Sequence, residues 1–169
     1  KGFNQAIACA KVFPNVSLAI NVNEKEAYIK KVLADNNVKN DYVRIIKSPT
    51  GMAFIQVNQE GENSILLNKG ANHQFDLEQF VEILNQYKAG DLLVLQNEIN
   101  HIDQLINIAS KRHLTIALNP SPFSQDLLQL PLEKCSYLFI NEVEGEALTK
   151  QSETSNCSKR SGDLSTRCI

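Results

Sequence analysis

The residues Tyr137-Leu138-Phe139-Ile140 form a short apolar run that ends abruptly on Asn141-Glu142-Val143-Glu144. An amide can donate and accept, and closely spaced carboxylates can meet hydroxyls or a hard cation, so this cluster suits a nucleotide or a metal-bound phosphate. Two other apolar runs end the same way. Leu92 to Leu95 delivers Gln96-Asn97-Glu98, and Leu114 to Leu118 delivers Asn119-Pro120. A further polar group opens the chain: Lys1-Gly2-Phe3-Asn4-Gln5 combines a cation, a flexible glycine and two amides at the start of a helical pattern, where backbone N–H groups can meet hydroxyls or anions. Each piece also has a plainer role. Asn119 before proline suits a turn, Asn141 suits a helix N-cap, Glu142 and Glu144 suit the positive end of a helix, and Glu98 suits a solvated loop. No Ser-His-Asp or metal-binding arrangement can be spaced from His73, His101 and His113, and they receive no role.

What turns isolated polar residues into a candidate site is the order of elements that carry them. The pattern predicts a short Ala-rich helix over Asn4 to Phe13, a buried strand over Val16 to Ile20 and a charged helix over Glu24 to Leu33. Met52 to Val57 and Ser64 to Leu67 read as a hairpin around the polar, glycine-containing connection 58–63. Beyond Gly70-Ala71-Asn72 helices and strands alternate. Leu77, Phe80, Val81, Leu84 and Tyr87 form one helical stripe behind Asp76 as cap, and Ile102, Leu105, Ile106 and Ala109 another behind Asn100. Strands are expected over Leu92 to Leu95, Leu114 to Leu118 and Tyr137 to Ile140, with a short helix over Ser124 to Leu130 and another through Ala147 and Leu148. Alternation of this kind implies βαβ crossovers and a parallel sheet, and ligands of open parallel sheets bind outside the carboxyl ends of the strands. The fold class expected is therefore an α/β core with a small β lid. The three polar strand ends fall on one edge of it.

Composition narrows the class. A formal net charge of -2 leaves no basic excess for nucleic acid or an anionic membrane surface. No apolar run approaches the roughly 18 residues of a membrane helix. Cys9, Cys135, Cys157 and Cys168 make no Cys-x-x-Cys pair, which points to free thiols in a reducing, cytoplasmic compartment. From Gln151 onward serine dominates and no periodicity survives, so the stretch 151–169 is expected to be a disordered or unrelated tail.

The order of motifs resembles the ribokinase-like sugar kinases, the PfkB carbohydrate kinase family. Lys1-Gly2-x-Asn4-Gln5-Ala6 is similar to the end of that family's Gly-Gly-Lys-Gly-x-Asn-Gln-Ala signature. Thr50-Gly51-Met52-Ala53, Glu60-Gly61-Glu62-Asn63-Ser64-Ile65, Gly70-Ala71-Asn72, Gln96-x-Glu98, Asn119-Pro120-Ser121-Pro122 and Asn141-Glu142-x-Glu144-Gly145-Glu146-Ala147 follow in the family's order. The similarity runs from residue 1 to about residue 150, one partial domain whose lid hairpin spans about 50–68. The Glu-Gly-Glu-Asn and Asn-Pro-x-Pro segments fit the ribose-specific members better than fructokinases or adenosine kinases.

The resemblance implies transfer of the γ-phosphoryl of ATP to a hydroxyl of a sugar, D-ribose in the first instance, with Mg²⁺ and a possible monovalent cation. It implies that Lys1, Gly2, Asn4 and Glu98 contact the sugar, that Asn141 lies on the nucleotide phosphate side, and that Glu144 helps place Mg²⁺ and phosphate. It also implies a homodimer paired through the lid strands. The departures are as informative. Where the family has Gly-x-Asp-x-x-Gly, this chain reads Asn21-Val22-Asn23-Glu24-Lys25-Glu26. The family's Gly-Ala-Gly-Asp segment, which supplies the catalytic base and an anion-stabilising helix start, does not occur in the 169 residues. The expectation is a piece of a kinase, truncated at both ends and inactive by itself. The alternatives are a non-catalytic sugar-binding or dimerisation module of the same fold, or a kinase for a related sugar or nucleoside.

Overall fold

The computed structural model describes residues 1–121, 124–141, 144–145 and 167–168. The chain divides into two compact units, Lys1–Phe75 and Asp76–Ile169.

In the first unit, helix α1 (Gly2–Ala10) buries Ala6. It starts and ends earlier than the sequence pattern suggests. Pro14 disfavours helical geometry at Phe13, and the chain leaves through a turn at Lys11-Val12. The expected strand over Val16 to Ile20 is two short strands, β1 (Val16–Ser17) and β2 (Ile20–Asn23). They pair in parallel with β3 (Val38–Lys39) and β4 (Val43–Ile46), which the sequence reading missed. The interruption has a geometric cause. Val16 pairs with Val38 and Ile20 with Val43, so a step of four residues on one side faces a step of five on the other and the ladder must break. The predicted charged helix is likewise divided into a 3₁₀ turn over Glu24–Glu26, capped by the Asn23 side chain, and α2 (Ile29–Asp35). Asn37 takes the left-handed conformation (φ 59°) just beyond α2, a position that asparagine tolerates. Val22, Leu33, Val38 and Val43 join Ala6 in the core of this unit, with Phe3, Ile7 and Ile29 packed on it.

The hairpin is a sheet of its own, β5 (Met52–Val57) antiparallel to β6 (Asn63–Asn68), as the sequence reading expects of a separate flap. Its tip is organised by Asn58, whose Oδ1 accepts from the N–H groups of Glu60 (3.0 Å) and Glu62 (2.9 Å). Gly61 supplies the left-handed residue (φ 83°) that closes the turn. Its base is held by Thr50, whose Oγ1 accepts from the Asn23 N–H at 2.8 Å and donates to Glu26 Oε2 at 2.8 Å. Gly70, at φ 43°, sits against Pro49, and a Cβ there would lie 2.3 Å from the Pro49 carbonyl oxygen.

The second unit alternates helix and strand: α3 (Leu77–Leu84), β7 (Leu92–Gln96), α4 (Ile102–Lys111), β8 (Thr115–Asn119) and β9 (Tyr137–Leu138). A 3₁₀ turn over Gln125–Gln129 stands where a short helix is expected. Strand β10 (Arg167–Cys168) pairs in parallel with β9, and the rest of 151–169, like the helix expected through Ala147 and Leu148, falls outside the described residues. The sheet order is β10-β9-β8-β7, and β7, β8 and β9 run parallel. Helix α4 turns Ile102, Leu105, Ile106 and Ala109 inward against β8, whose Ile116, Ala117 and Leu118 are buried. His101, not Asn100, is its N-cap, in the left-handed conformation (φ 60°) and with no side-chain capping bond. Its other end is a Schellman closure. The His113 N–H reaches the Ser110 carbonyl at 2.9 Å, the Leu114 N–H reaches that of Ala109 at 3.1 Å, and His113 is left-handed at φ 58°. His113 thus ends a helix.

Thr50→Val removes both hydrogen bonds at the hairpin base. It is expected to lower stability by about 1–3 kcal/mol, read as a lower urea midpoint, with Thr50→Ser close to the parent; an unchanged midpoint would show that the base is held by other contacts.

Candidate active site

The parallel register fixes where the strand ends lie. Gln96 of β7 is paired with Asn119 of β8, and Ala117 and Leu118 of β8 with Tyr137 and Leu138 of β9. All three strands therefore deliver their carboxyl ends to the same edge. Beyond the last ladder pairs, hydrogen bonds continue to stitch the turns together. The Asn97 N–H donates to the Asn119 carbonyl (3.2 Å), and the Phe139 N–H to that of Leu118 (2.9 Å). Asn97 Nδ2 reaches Ser124 Oγ at 3.5 Å. Asn119 Oδ1 accepts the Ser121 N–H at 3.0 Å, an Asx turn, so the plainer role of Asn119 is filled by its side chain. Glu98 sits half-buried in the turn that follows β7.

Asn141 and Glu144 engage each other. Asn141 Oδ1 accepts the Glu144 N–H at 2.8 Å, and Glu144 Oε2 accepts the Asn141 N–H at 3.1 Å. This reciprocal pair is a capping box, and it starts the helical turn at Glu144-Gly145, where the Gly145 N–H reaches the Asn141 carbonyl at 2.9 Å. Glu144 is only 4% exposed, and its second oxygen, Oε1, accepts the hydroxyl of Ser121. A buried carboxylate is stable only when donors meet it, and here two do. The box joins the end of β9 to the turn after β8 through one side chain.

The remaining candidates lie in the first unit. Lys1 is the N-cap of α1 and its carbonyl accepts the Gln5 N–H at 3.1 Å; Gly2 is the first helical residue, and Asn4 is exposed one turn on. The candidate set is thus divided: Lys1, Gly2 and Asn4 on one unit, Glu98, Asn141 and Glu144 on the other. Sequence reasoning overlooked Ser121. The signal was present, a hydroxyl between two prolines directly after a strand. Among the described residues no group of three or more His, Cys, Asp or Glu could cage a metal. No helix among them is long and apolar enough to cross a membrane. Cys9 and Cys135 are free thiols, and burial, aided by the charge of Glu133, pushes the Cys135 thiol up to about 12.

The second unit thus carries a parallel α/β sheet with amides and a carboxylate locked at its carboxyl edge, and the first unit carries a separate β hairpin. The chain belongs to the pfkB family of carbohydrate kinases, whose model matches residues 1–169. It is 31% identical over 153 residues to a ribokinase of Bacillus subtilis, covering 88% of this chain and 52% of that protein. It is 32% identical over 160 residues to a deoxyribokinase of Salmonella typhi, covering 88% of this chain and 50% of that one. Among solved structures, the ribokinase of Cryptococcus neoformans in complex with ADP superposes with a TM-score of 0.76 at 29% identity, over 96% of this chain and 54% of that one. Arabidopsis thaliana ribokinase with ribose and ATP gives 0.75 at 26% identity, over 98% and 57%. The chain spans about half the length of the curated relatives it matches.

Asn141→Ala removes the side-chain half of the capping box. It is expected to cost about 0.5–2 kcal/mol in urea unfolding, with Asn141→Ser recovering most of it; a loss in both variants alike would assign the effect to something other than the cap.

Proposed function

We propose that these residues are part of an ATP-dependent sugar kinase acting on a pentose, with D-ribose the first candidate and 2-deoxyribose the second. The observation that carries the reading is the Asn141–Glu144 box at the carboxyl edge of a parallel sheet, in a chain of the pfkB family. The deoxyribokinase and ribokinase relatives are similar at nearly equal identity, which supports a pentose and keeps both sugars in view. Lys1, Gly2, Asn4 and Glu98 would bind the sugar, with the Glu98 carboxylate accepting from its hydroxyls. Asn141 would face the nucleotide phosphates. In the reaction a sugar hydroxyl oxygen bonds to the γ-phosphorus and gives up its proton to a base, which in this family the Gly-Ala-Gly-Asp segment would supply. The bond to the β-phosphate oxygen breaks and ADP leaves, so the rest of the protein's work is positioning and charge stabilisation.

Mg²⁺ suits this donor set. It keeps much of its water and binds through one or two carboxylates together with substrate phosphates, and Glu144 offers one carboxylate in place of a cage. Glu144 would hold it, and the bound ion would neutralise phosphate charge. A monovalent cation is a further expected cofactor, and the cytoplasm the expected compartment. The 169 residues contain no Gly-Ala-Gly-Asp base segment, and turnover by them alone is not expected. Residues 1–150 are read as one partial kinase domain and the remainder as a separate tail.

A specific observation favours a second role beside this one. Both faces of the hairpin are apolar and open: Ile55 and Ile65 pair on one side at 61% and 54% exposure, Phe54 and Leu66 on the other at 52% and 71%. Apolar surface of this kind calls for a partner, and pairing of two hairpins in a homodimer would provide one.

The assay is ADP formation from ATP with ribose, 2-deoxyribose or fructose, together with calorimetry of each sugar. The chain alone is expected to give no ADP and to bind a pentose in preference to fructose, with Glu98→Gln weakening that binding about 10–100-fold, the loss of a charge-assisted hydrogen bond. ADP formation would overturn the inactivity; equal pentose affinity in Glu98→Gln would remove Glu98 from the sugar site.

A further inference from the structure

Ser121 has no part in the chemistry above, yet its hydroxyl is the donor to Glu144 Oε1. Its backbone is held from the N-terminal side. The Ser121 N–H is bonded to Asn119 Oδ1 at 3.0 Å, and the preceding Pro120, with its φ fixed by the ring, is among the fully buried side chains. The hydroxyl is therefore presented to Glu144 from a rigid turn. The capping box alone supplies one donor to the carboxylate, the Asn141 N–H on Oε2. Without Ser121 a carboxylate that is 4% exposed would carry an oxygen short of a donor. The cheapest relief is rotation of the Glu144 side chain towards water, and that rotation breaks the box.

We propose that Ser121 is a positioning residue for Glu144. Its hydroxyl fixes the carboxylate in the capping box, ties the end of β8 to the helix start after β9, and leaves the remaining lone pairs of Glu144 to meet a hydrated cation with its nucleotide. The cation part rests on the kinase reading above; the fixing of the carboxylate does not. The threonine hydroxyl can be offered from the same position, whereas alanine offers none.

The test uses the full 169-residue chain with labelled glutamate carboxyl carbons, and Ser121→Ala and Ser121→Thr beside the parent. Amide exchange at Asn141 and Glu144 is expected to rise about tenfold or more in Ser121→Ala, with a shifted Glu144 carboxyl resonance. Ser121→Thr restores both, and the β7 amides stay as in the parent. With Mn²⁺ and ADP added, the Glu144 resonance of the parent and of Ser121→Thr broadens, and that of Ser121→Ala needs about tenfold more Mn²⁺ for the same effect. Unchanged exchange in Ser121→Ala, a Ser121→Thr chain that behaves like Ser121→Ala, or equal broadening in parent and Ser121→Ala overturns the proposal. Absence of broadening in all three chains, with the exchange pattern as expected, overturns the cation part and the metal–nucleotide reading of this corner, and supports the fixing of Glu144 by Ser121.

Discussion

Parallel strands cannot be joined by tight turns, so β7 and β8 are each followed by a connection that returns the chain to the other end before the next strand begins. The consequence is directional. Register pairs from Leu92–Thr115 to Gln96–Asn119, and from Ala117–Tyr137 to Leu118–Leu138, bring the carboxyl ends of β7, β8 and β9 to one edge. Side chains that would be scattered solvated amides in an antiparallel meander become neighbours. The bonds from Asn97 to Asn119, from Ser121 to Asn119 and Glu144, and from Asn141 to Glu144 all follow from that placement. The functional reading of the second unit depends on it.

The plain and the functional roles of these residues are not rivals. Asn141 caps a helical turn and Glu144 completes the box, which is what fixes their remaining polar atoms in space. A site that must hold phosphate gains from side chains already immobilised by local bonds, since ordering them does not have to be met by the ligand. Glu144 shows the balance well: two protein donors satisfy it, and the lone pairs left over are its chemical resource.

Much of this was legible in the sequence wherever one physical signal dominated. The stripe Ile102, Leu105, Ile106 and Ala109 could only be the buried face of a helix, and the apolar runs around a glycine-containing polar turn could only be a hairpin. What stayed hidden depended on distant partners. Strands β3 and β4 lie in a polar, charged stretch and exist because β1 and β2 offer them an edge. The break between β1 and β2 is set by the extra residue in the opposite strand, which no local pattern records. The shift of the α4 cap from Asn100 to His101 reflects a left-handed backbone that either residue type tolerates. For the site, the three polar strand ends were readable as a converging set, while the Ser121–Glu144 bond spans 23 positions and required the fold.

The central claim is that the carboxyl edge of β7, β8 and β9 is where this chain meets a nucleotide, and amide chemical shifts recorded with and without Mg²⁺ and ADP test it most directly. The account predicts shifts concentrated at Asn141, Glu144 and Gly145, fading along β8 towards Thr115. Shifts confined to the β5–β6 hairpin, or none at those three amides at saturating nucleotide, would contradict it.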